Sequence, residues 1–273
     1  MNLFNEFYIS RRFSRVFEMY PENNINFIDY NNAKKIEITL NPNDMLFIPA
    51  GWFHYVLSET VDETLKLNIA TSYFTEYSGC IDCDVDENKN YVNTIKIENN
   101  NVDYTTYAKN SEPFYIKNSQ PKVKWTLKKL KNHFKDNILT INKSKYKLFL
   151  SNYIKKYNQD CCQEIQMTFD EFLKIGKNDE LNNYYLMQSE NKKLNDIPDI
   201  IKNETYNNFS LWINFGKNIY TNLHYDMHNN ILVQMNGSKK IILFPPSERS
   251  KLHLINPLNT KILCKLKSVL RNV

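Results

Sequence analysis

The dipeptide Asn236-Gly237 stands between two runs of strand-forming residues, Asn230–Met235 and Lys239–Phe244, and it constrains the fold more tightly than any other feature. Asn-Gly accepts the positive φ angles of a two-residue hairpin turn, whose twist matches that of the strands it joins. The C-terminal part of the chain is therefore antiparallel β, and Ser210–Phe215 and Asn222–Asp226 extend it upstream. A second β block lies near the N-terminus: Lys35–Leu40, Met45–Ile48, Trp52–Leu57 and Leu65–Tyr73, the first two separated by the turn Asn41-Pro42-Asn43-Asp44. Between the blocks the pattern changes. Residues 75–110 are polar and aperiodic apart from a strand candidate at Thr94–Ile97, and read as a connector. Apolar residues recur at three- and four-residue spacing over Trp125–Phe134 and Tyr146–Tyr157, and Thr168-Phe-Asp-Glu171 has the form of a capping box. Residues 120–178 are thus predicted to be mainly helical. A loop around Pro198 leads back to the strands.

The 273 residues carry 18 Tyr and 16 Phe, enough apolar volume for a substantial core. No apolar run reaches the roughly 18 residues of a membrane helix, and Met1–Tyr20 interrupts its apolar positions with charge. The expectation is a soluble intracellular protein, cytoplasmic or nuclear, with no membrane partner. Five cysteines, an odd number, do not form a disulfide framework, and Cys80-Ile-Asp-Cys83 with Cys161-Cys162 lacks the ligand spacing of a zinc site. The scarcity of glycine beside abundant Asn, Lys, Ile and Tyr resembles the proteins of AT-rich genomes, including those of large viruses. Within a formal net charge of +5, the segment Lys122–Lys156 concentrates eleven lysines against a single acid, Asp136. Those lysines either solvate the outer faces of helices or form a surface for nucleic acid or an acidic partner. No glycine-rich phosphate loop and no Ser or Cys nucleophile motif is present.

The chemistry concentrates in Asn222-Leu-His-Tyr-Asp-Met-His. Side chains two apart on a strand share a face, so His224 and Asp226 can meet at one metal. Two imidazoles and one carboxylate around an open coordination sphere is the ligand set of non-haem Fe(II) oxygenases. Taken alone, His-x-Asp also describes a surface strand with two polar residues. Its surroundings are more specific. The run from Leu211-Trp-Ile-Asn-Phe-Gly through Thr221-Asn-Leu-His-Tyr-Asp to Lys239-Lys-Ile-Ile-Leu-Phe-Pro-Pro-Ser-Glu resembles the first metal-binding half of the JmjC/cupin-like Fe(II)- and 2-oxoglutarate-dependent oxygenases. Asn43-Asp-Met-Leu-Phe-Ile-Pro-Ala-Gly-Trp-Phe-His54 is similar to the second half, with Asn43 in place of the usual Gly and Phe53 in place of a second Trp. Asn tolerates the turn better than most residues.

The resemblance implies a double-stranded β-helix, a jelly-roll of mainly β structure with an α insert, holding Fe(II) and taking 2-oxoglutarate as cosubstrate. It implies His224, Asp226 and His54 as the metal ligands. It places Lys239 and Thr221 at the far carboxylate of 2-oxoglutarate with Tyr185 beside them, and Asn230 and Asn68 near iron and cosubstrate. Thr221 lies on the face opposite His224 by strict alternation, so that role requires a local bulge. Apart from the resemblance, Lys239 reads as a hairpin-end lysine in solvent and Tyr185 as a core aromatic. His228 has the parity to face the metal, whereas His133 and His253 read as helix-face and loop residues.

In the family the His-x-Asp half comes first; here His54 precedes His224. Residues 1–78 look like the C-terminal half of a cupin-like domain, residues 79–107 are the connector, and residues 108–273 look like the N-terminal half, opening with a strand and then a helix over residues 108–134. Either the chain is a circularly permuted single domain, or it joins two half-domains with deficient sites. The expected function is a dioxygenase that hydroxylates a protein or RNA; the alternative is an inactive cupin-like binding protein.

Overall fold

The structure, a computed structural model, describes residues 12–14, 16, 28–59, 67–75, 90–119, 126–145, 147–149, 163–178, 183–190, 206–216 and 218–254. After a short helix α1 (Ile28–Asn31) come β1 (Ile36–Leu40), β2 (Met45–Ile48), β3 (Phe53–Glu59) and β4 (Leu67–Thr75). The middle of the chain holds β5 (Lys96–Glu98), α2 (Tyr104–Asn110), β6 (Phe114–Ile116), α3 (Leu127–Phe134), β7 (Ile138–Ser144), β8 (Leu148–Phe149), β9 (Gln163–Thr168) and α4 (Phe169–Asn178). The last part holds β10 (Asn183–Glu190), β11 (Tyr206–Phe215), β12 (Ile219–Tyr225), β13 (Asn230–Asn236), β14 (Ser238–Phe244) and a 3-10 turn at Pro246–Leu252.

Two sheets face each other. The smaller runs β1-β14-β3-β12-β8 and the larger β5-β6-β2-β13-β4-β11-β10-β7-β9. Successive strands of each block alternate between the sheets, and within each sheet N-terminal strands alternate with C-terminal ones. This is the strand order of a jelly-roll, and neither block closes it alone. Parity along the strands then sorts the side chains. On β3 and β14, Phe53, Tyr55, Ile242 and Phe244 point outward into a cluster with Val16, Tyr30, Leu223, Tyr225 and Leu252. Their neighbours Val56, Ile241 and Leu243 point inward, packing with Leu46, Ile48, Trp52 and Leu232. The outer face of the larger sheet is covered by α2, α3 and α4 through Tyr104, Tyr107, Leu130, Phe134, Phe169 and Phe172.

Local chemistry explains the turns. Asn43 adopts a φ of 75°, the conformation glycine would supply. Asp44, buried beside it, accepts from Asn41 N (2.8 Å), the Tyr115 hydroxyl (2.6 Å) and Asn118 N (3.0 Å), which fixes the entry to β2. Gly237 has a φ of 70° at the β13–β14 turn, where a Cβ would lie 2.6 Å from Glu59 O. The capping box at α4 forms reciprocally: Thr168 N donates to Glu171 Oε2 (2.7 Å) and Glu171 N to Thr168 Oγ1 (3.3 Å).

Two expectations are corrected. Residues 120–178 are not mainly helical: β7, β8 and β9 lie between α3 and α4. Ile138-Leu-Thr-Ile alternates exposed and buried positions, and β9 pairs along its length with β7, so the alternation in a β-branched run outweighs the helical spacing on either side. Leu148–Phe149 is a short strand parallel to β12, while the rest of the Tyr146–Tyr157 run lies largely outside the described residues. The connector, in turn, contains, beside β5 where a strand was expected, the helix α2, whose first turn is capped by Asp103 through Thr105 N and Thr106 N. Cys80, Cys83, Cys161, Cys162 and the loop around Pro198 also fall outside the described residues. Among the described residues, no helix is long and apolar enough to cross a membrane.

Candidate metal centre

β3 and β12 are antiparallel neighbours, and His54 and His224 lie directly across from each other in the register. Cross-strand partners project from the same face, so the two imidazoles meet inside the barrel with ring centroids 4.3 Å apart. Asp226 is the first residue beyond β12, not on the strand itself. Its loop is pinned to the N-terminal block: Gly51 N donates to Asp226 O (3.0 Å), and Ala50 N donates to Asn229 Oδ1 (2.9 Å). One ligand atom from each of His54, His224 and Asp226 falls within 4.8 Å of the other two.

The tautomers follow from the partners. His54 Nδ1 lies 3.2 Å from Trp52 O and His224 Nδ1 lies 2.7 Å from Asn222 O. A carbonyl oxygen only accepts, so each Nδ1 carries the proton and each Nε2 turns its lone pair toward the centre. There the two Nε2 atoms stand 3.6 Å and 3.9 Å from the oxygens of Asp226. Three acceptors converge with no hydrogen between them, an arrangement that a cation relieves. Burial, reinforced by the neighbouring His54, pulls His224 down to about 4, so it is a neutral donor at neutral pH. Phe13, on a segment bridged to β12, stacks on the His224 ring at 5.5 Å and 16°.

One pocket joins this triad to Lys239, Tyr185 and Thr221, and Ile48, Val56, Ser72, Phe74, Trp212, Asn230 and Leu232 complete its lining. Lys239 shares the inward parity of Ile241 and Leu243 and is 1% exposed. It is not a solvent lysine at a hairpin end. Its ammonium donates to Ser58 Oγ, has no carboxylate partner among the described residues, and is brought down by burial to about 7. Tyr185 is buried against Phe149 and Trp212, and its hydroxyl bonds the side chains of Ser58 and Thr221. Burial raises its phenol well above the usual range. Thr221 reaches the pocket because the β12–β3 register shifts between Thr221 and His224, which reverses the parity expected from alternation.

The structure brings together His54, His224, Asp226, Lys239, Thr221, Tyr185 and Asn230, and separates Asn68 from them. Asn68 Nδ2 donates to Ser238 O (2.7 Å) and to Glu59 O, and its Oδ1 accepts from Gln234 Nε2 (3.2 Å). That amide clamps the β13–β14 turn and does not line the pocket. His228 is partly buried outside the pocket lining, His133 packs on Phe134 in the last turn of α3, and His253 follows the 3-10 turn with a φ of 47°. Ser58 was legible but not singled out, since it continues the 54, 56, 58 parity of His54. Phe13 carried no signal, because only the fold sets its segment beside β12.

The chain matches the family described as the Cupin-like domain over residues 7–78 and 89–266. It is 24% identical over 241 residues to a JmjC domain-containing protein, L887, of Acanthamoeba polyphaga mimivirus, an alignment covering 80% of this chain. The chain spans only about a third, 35%, of that relative's length. No solved structure matches it. With most of its length matched and its strands in jelly-roll order, the chain belongs to the Cupin-like domain family.

Proposed function

We propose that the protein is an Fe(II)- and 2-oxoglutarate-dependent oxygenase that hydroxylates a macromolecule, a protein or an RNA. The observation that carries this reading is one pocket that holds two dissimilar features: three converging metal-ligand acceptors and a buried ammonium with no counter-ion among the described residues. A short dicarboxylate with a keto-acid head complements both. His54 Nε2, His224 Nε2 and the Asp226 carboxylate hold the metal, and the Nδ1 bonds to Trp52 O and Asn222 O fix the rings. Lys239, with Ser58, Thr221 and Tyr185 around it, binds and orients the far carboxylate. Asn230, whose Oδ1 has no partner among the described residues, lines the same pocket. Ile48, Val56, Phe74, Trp212 and Leu232 keep water from the space between. When bound, iron and 2-oxoglutarate supply the oxidation, O2 and 2-oxoglutarate yielding succinate, CO2 and a hydroxylated product.

In this reading the chain is one circularly permuted barrel, residues 1–78 supplying the distal-histidine half and residues 108–273 the His-x-Asp half. The strand alternation supports it, since β3 carries His54 directly against His224. The exposed Lys128, Lys129 and Lys135 on and just beyond α3 support a basic face for an RNA or acidic partner within residues 122–156, while Lys131 is held by Asp170 at 2.7 Å.

Purified protein given Fe(II), ascorbate and O2 is expected to convert 2-oxoglutarate to succinate slowly without a second substrate, and Asp226→Ala is expected to abolish the conversion. Succinate formation at equal rates in both proteins overturns the assignment.

A further inference from the structure

Beyond the residues that resemblance or the pocket lining assigns, the interior face of the larger sheet carries one polar group for which the fold offers no use. Asn214, on β11, is 0% exposed, and neither its Oδ1 nor its Nδ2 has a hydrogen-bond partner among the described residues. A buried amide left in that state is costly, so such groups are kept where something outside the fold satisfies them. The position says what that is. Asn214 lies directly across from Tyr185 on β10 and from Asn68 on β4. Cross-strand partners share a face, so Asn214 stands beside the Tyr185 that lines the pocket. Its neighbours Ile213 and Phe215 point the other way, into the cluster beneath the helices.

Every polar neighbour at this level is already engaged. Asn68 clamps the hairpin turn, Tyr185 bonds Ser58 and Thr221, and the Lys239 ammonium, 5.9 Å from the centre of the Tyr185 ring, donates to Ser58. Asn142, across Tyr185 on its other side, has partners of its own. Among the described residues, Asn214 alone in this row holds both donor and acceptor unspent.

We infer that Asn214 is a further positioning residue for the dicarboxylate, its Nδ2 donating to the carboxylate that Lys239 neutralises. This rests on the proposed function and deepens it. Lys239 supplies charge, which any anion satisfies; Asn214 supplies a directed donor from the opposite sheet, which selects a carboxylate of the right reach. The five-carbon 2-oxoglutarate is favoured over its four-carbon homologue oxaloacetate.

The test is isothermal titration of 2-oxoglutarate and of oxaloacetate into anaerobic Mn(II)-loaded wild type, Asn214→Leu and Asn214→Ser, with the melting temperature of each metal-free protein. Asn214→Leu removes the orphan amide at similar volume. It is expected to melt at or above the wild-type temperature, to bind 2-oxoglutarate about tenfold or more weakly, and to lose most of the preference over oxaloacetate. Asn214→Ser, which keeps a hydroxyl donor, is expected to bind between the two. Wild type that binds 2-oxoglutarate and an Asn214→Leu or Asn214→Ser that binds it equally well overturn the role of Asn214 and leave the pocket reading standing. That is also the result if the amide only holds a permanent water. Wild type that does not bind 2-oxoglutarate overturns both.

Discussion

Replacing Lys239 by methionine separates what this residue does for the ligand from what it does to the fold. Burial moves its ammonium from 10.5 to about 7. A shift of that size amounts to roughly 5 kcal/mol of preference for the unfolded chain whenever the lysine is protonated. The unfolded chain binds one more proton than the folded one between about 7 and 10.5, so the stability of wild type rises with pH across that window. Below about 7 the penalty is present in full. Lys239→Met keeps the length of the side chain and removes the charge, so metal-free Lys239→Met is expected to be several kcal/mol more stable than wild type at pH 6.5, with the advantage vanishing toward pH 10.5. The ligand responds oppositely. A hydrogen-bonded ion pair with a carboxylate contributes roughly 1.5–3 kcal/mol, so 2-oxoglutarate should bind Lys239→Met about ten- to a hundredfold more weakly. In wild type, affinity should fall as pH rises above about 7, and in Lys239→Met it should stay flat. Urea denaturation at several pH values and titration calorimetry read the two effects. A variant less stable than wild type at pH 6.5, or one that binds 2-oxoglutarate as well, refutes the picture of an uncompensated buried cation awaiting a carboxylate.

Further substitutions test the frame around the pocket. Gly237→Ala forces a Cβ against Glu59 O at a positive φ and should cost about 1–3 kcal/mol in chemical denaturation. Thr168→Ala removes half of the α4 capping box and should cost about 1 kcal/mol in the same assay, leaving 2-oxoglutarate affinity unchanged.

The strands that build the candidate metal centre were legible because their signals are local. Alternation in Lys35–Leu40, the apolar run Ile241–Phe244, the Asn-Gly turn and an Asn able to take a φ of 75° each depend on a few neighbouring residues. What stayed out of reach depends on which strands become neighbours. Nothing local says that β3 pairs with β12 so that His54 faces His224, or that the register slips before His224 and brings Thr221 inside. The same limit misplaced Asn68, whose inward parity was right but whose amide is consumed by a hairpin turn arriving from the far end of the chain. It also hid Lys239's burial, since a lysine beside a hairpin turn is ordinarily in water. Helical spacing misled at residues 138–144, where pairing with β9 and β10 decides the structure.

In the proposed site, residues from both β blocks, His54 from one and His224 and Asp226 from the other, hold a single metal ion. Anaerobic Fe(II) titration of wild type, His54→Ala, His224→Ala and Asp226→Ala tests this arrangement most directly. Wild type is expected to bind one equivalent of iron tightly, and each variant, His54→Ala included, to lose about a hundredfold or more in affinity. A His54→Ala protein that binds iron as tightly as wild type, or a wild type that binds two equivalents at separate sites, would contradict it.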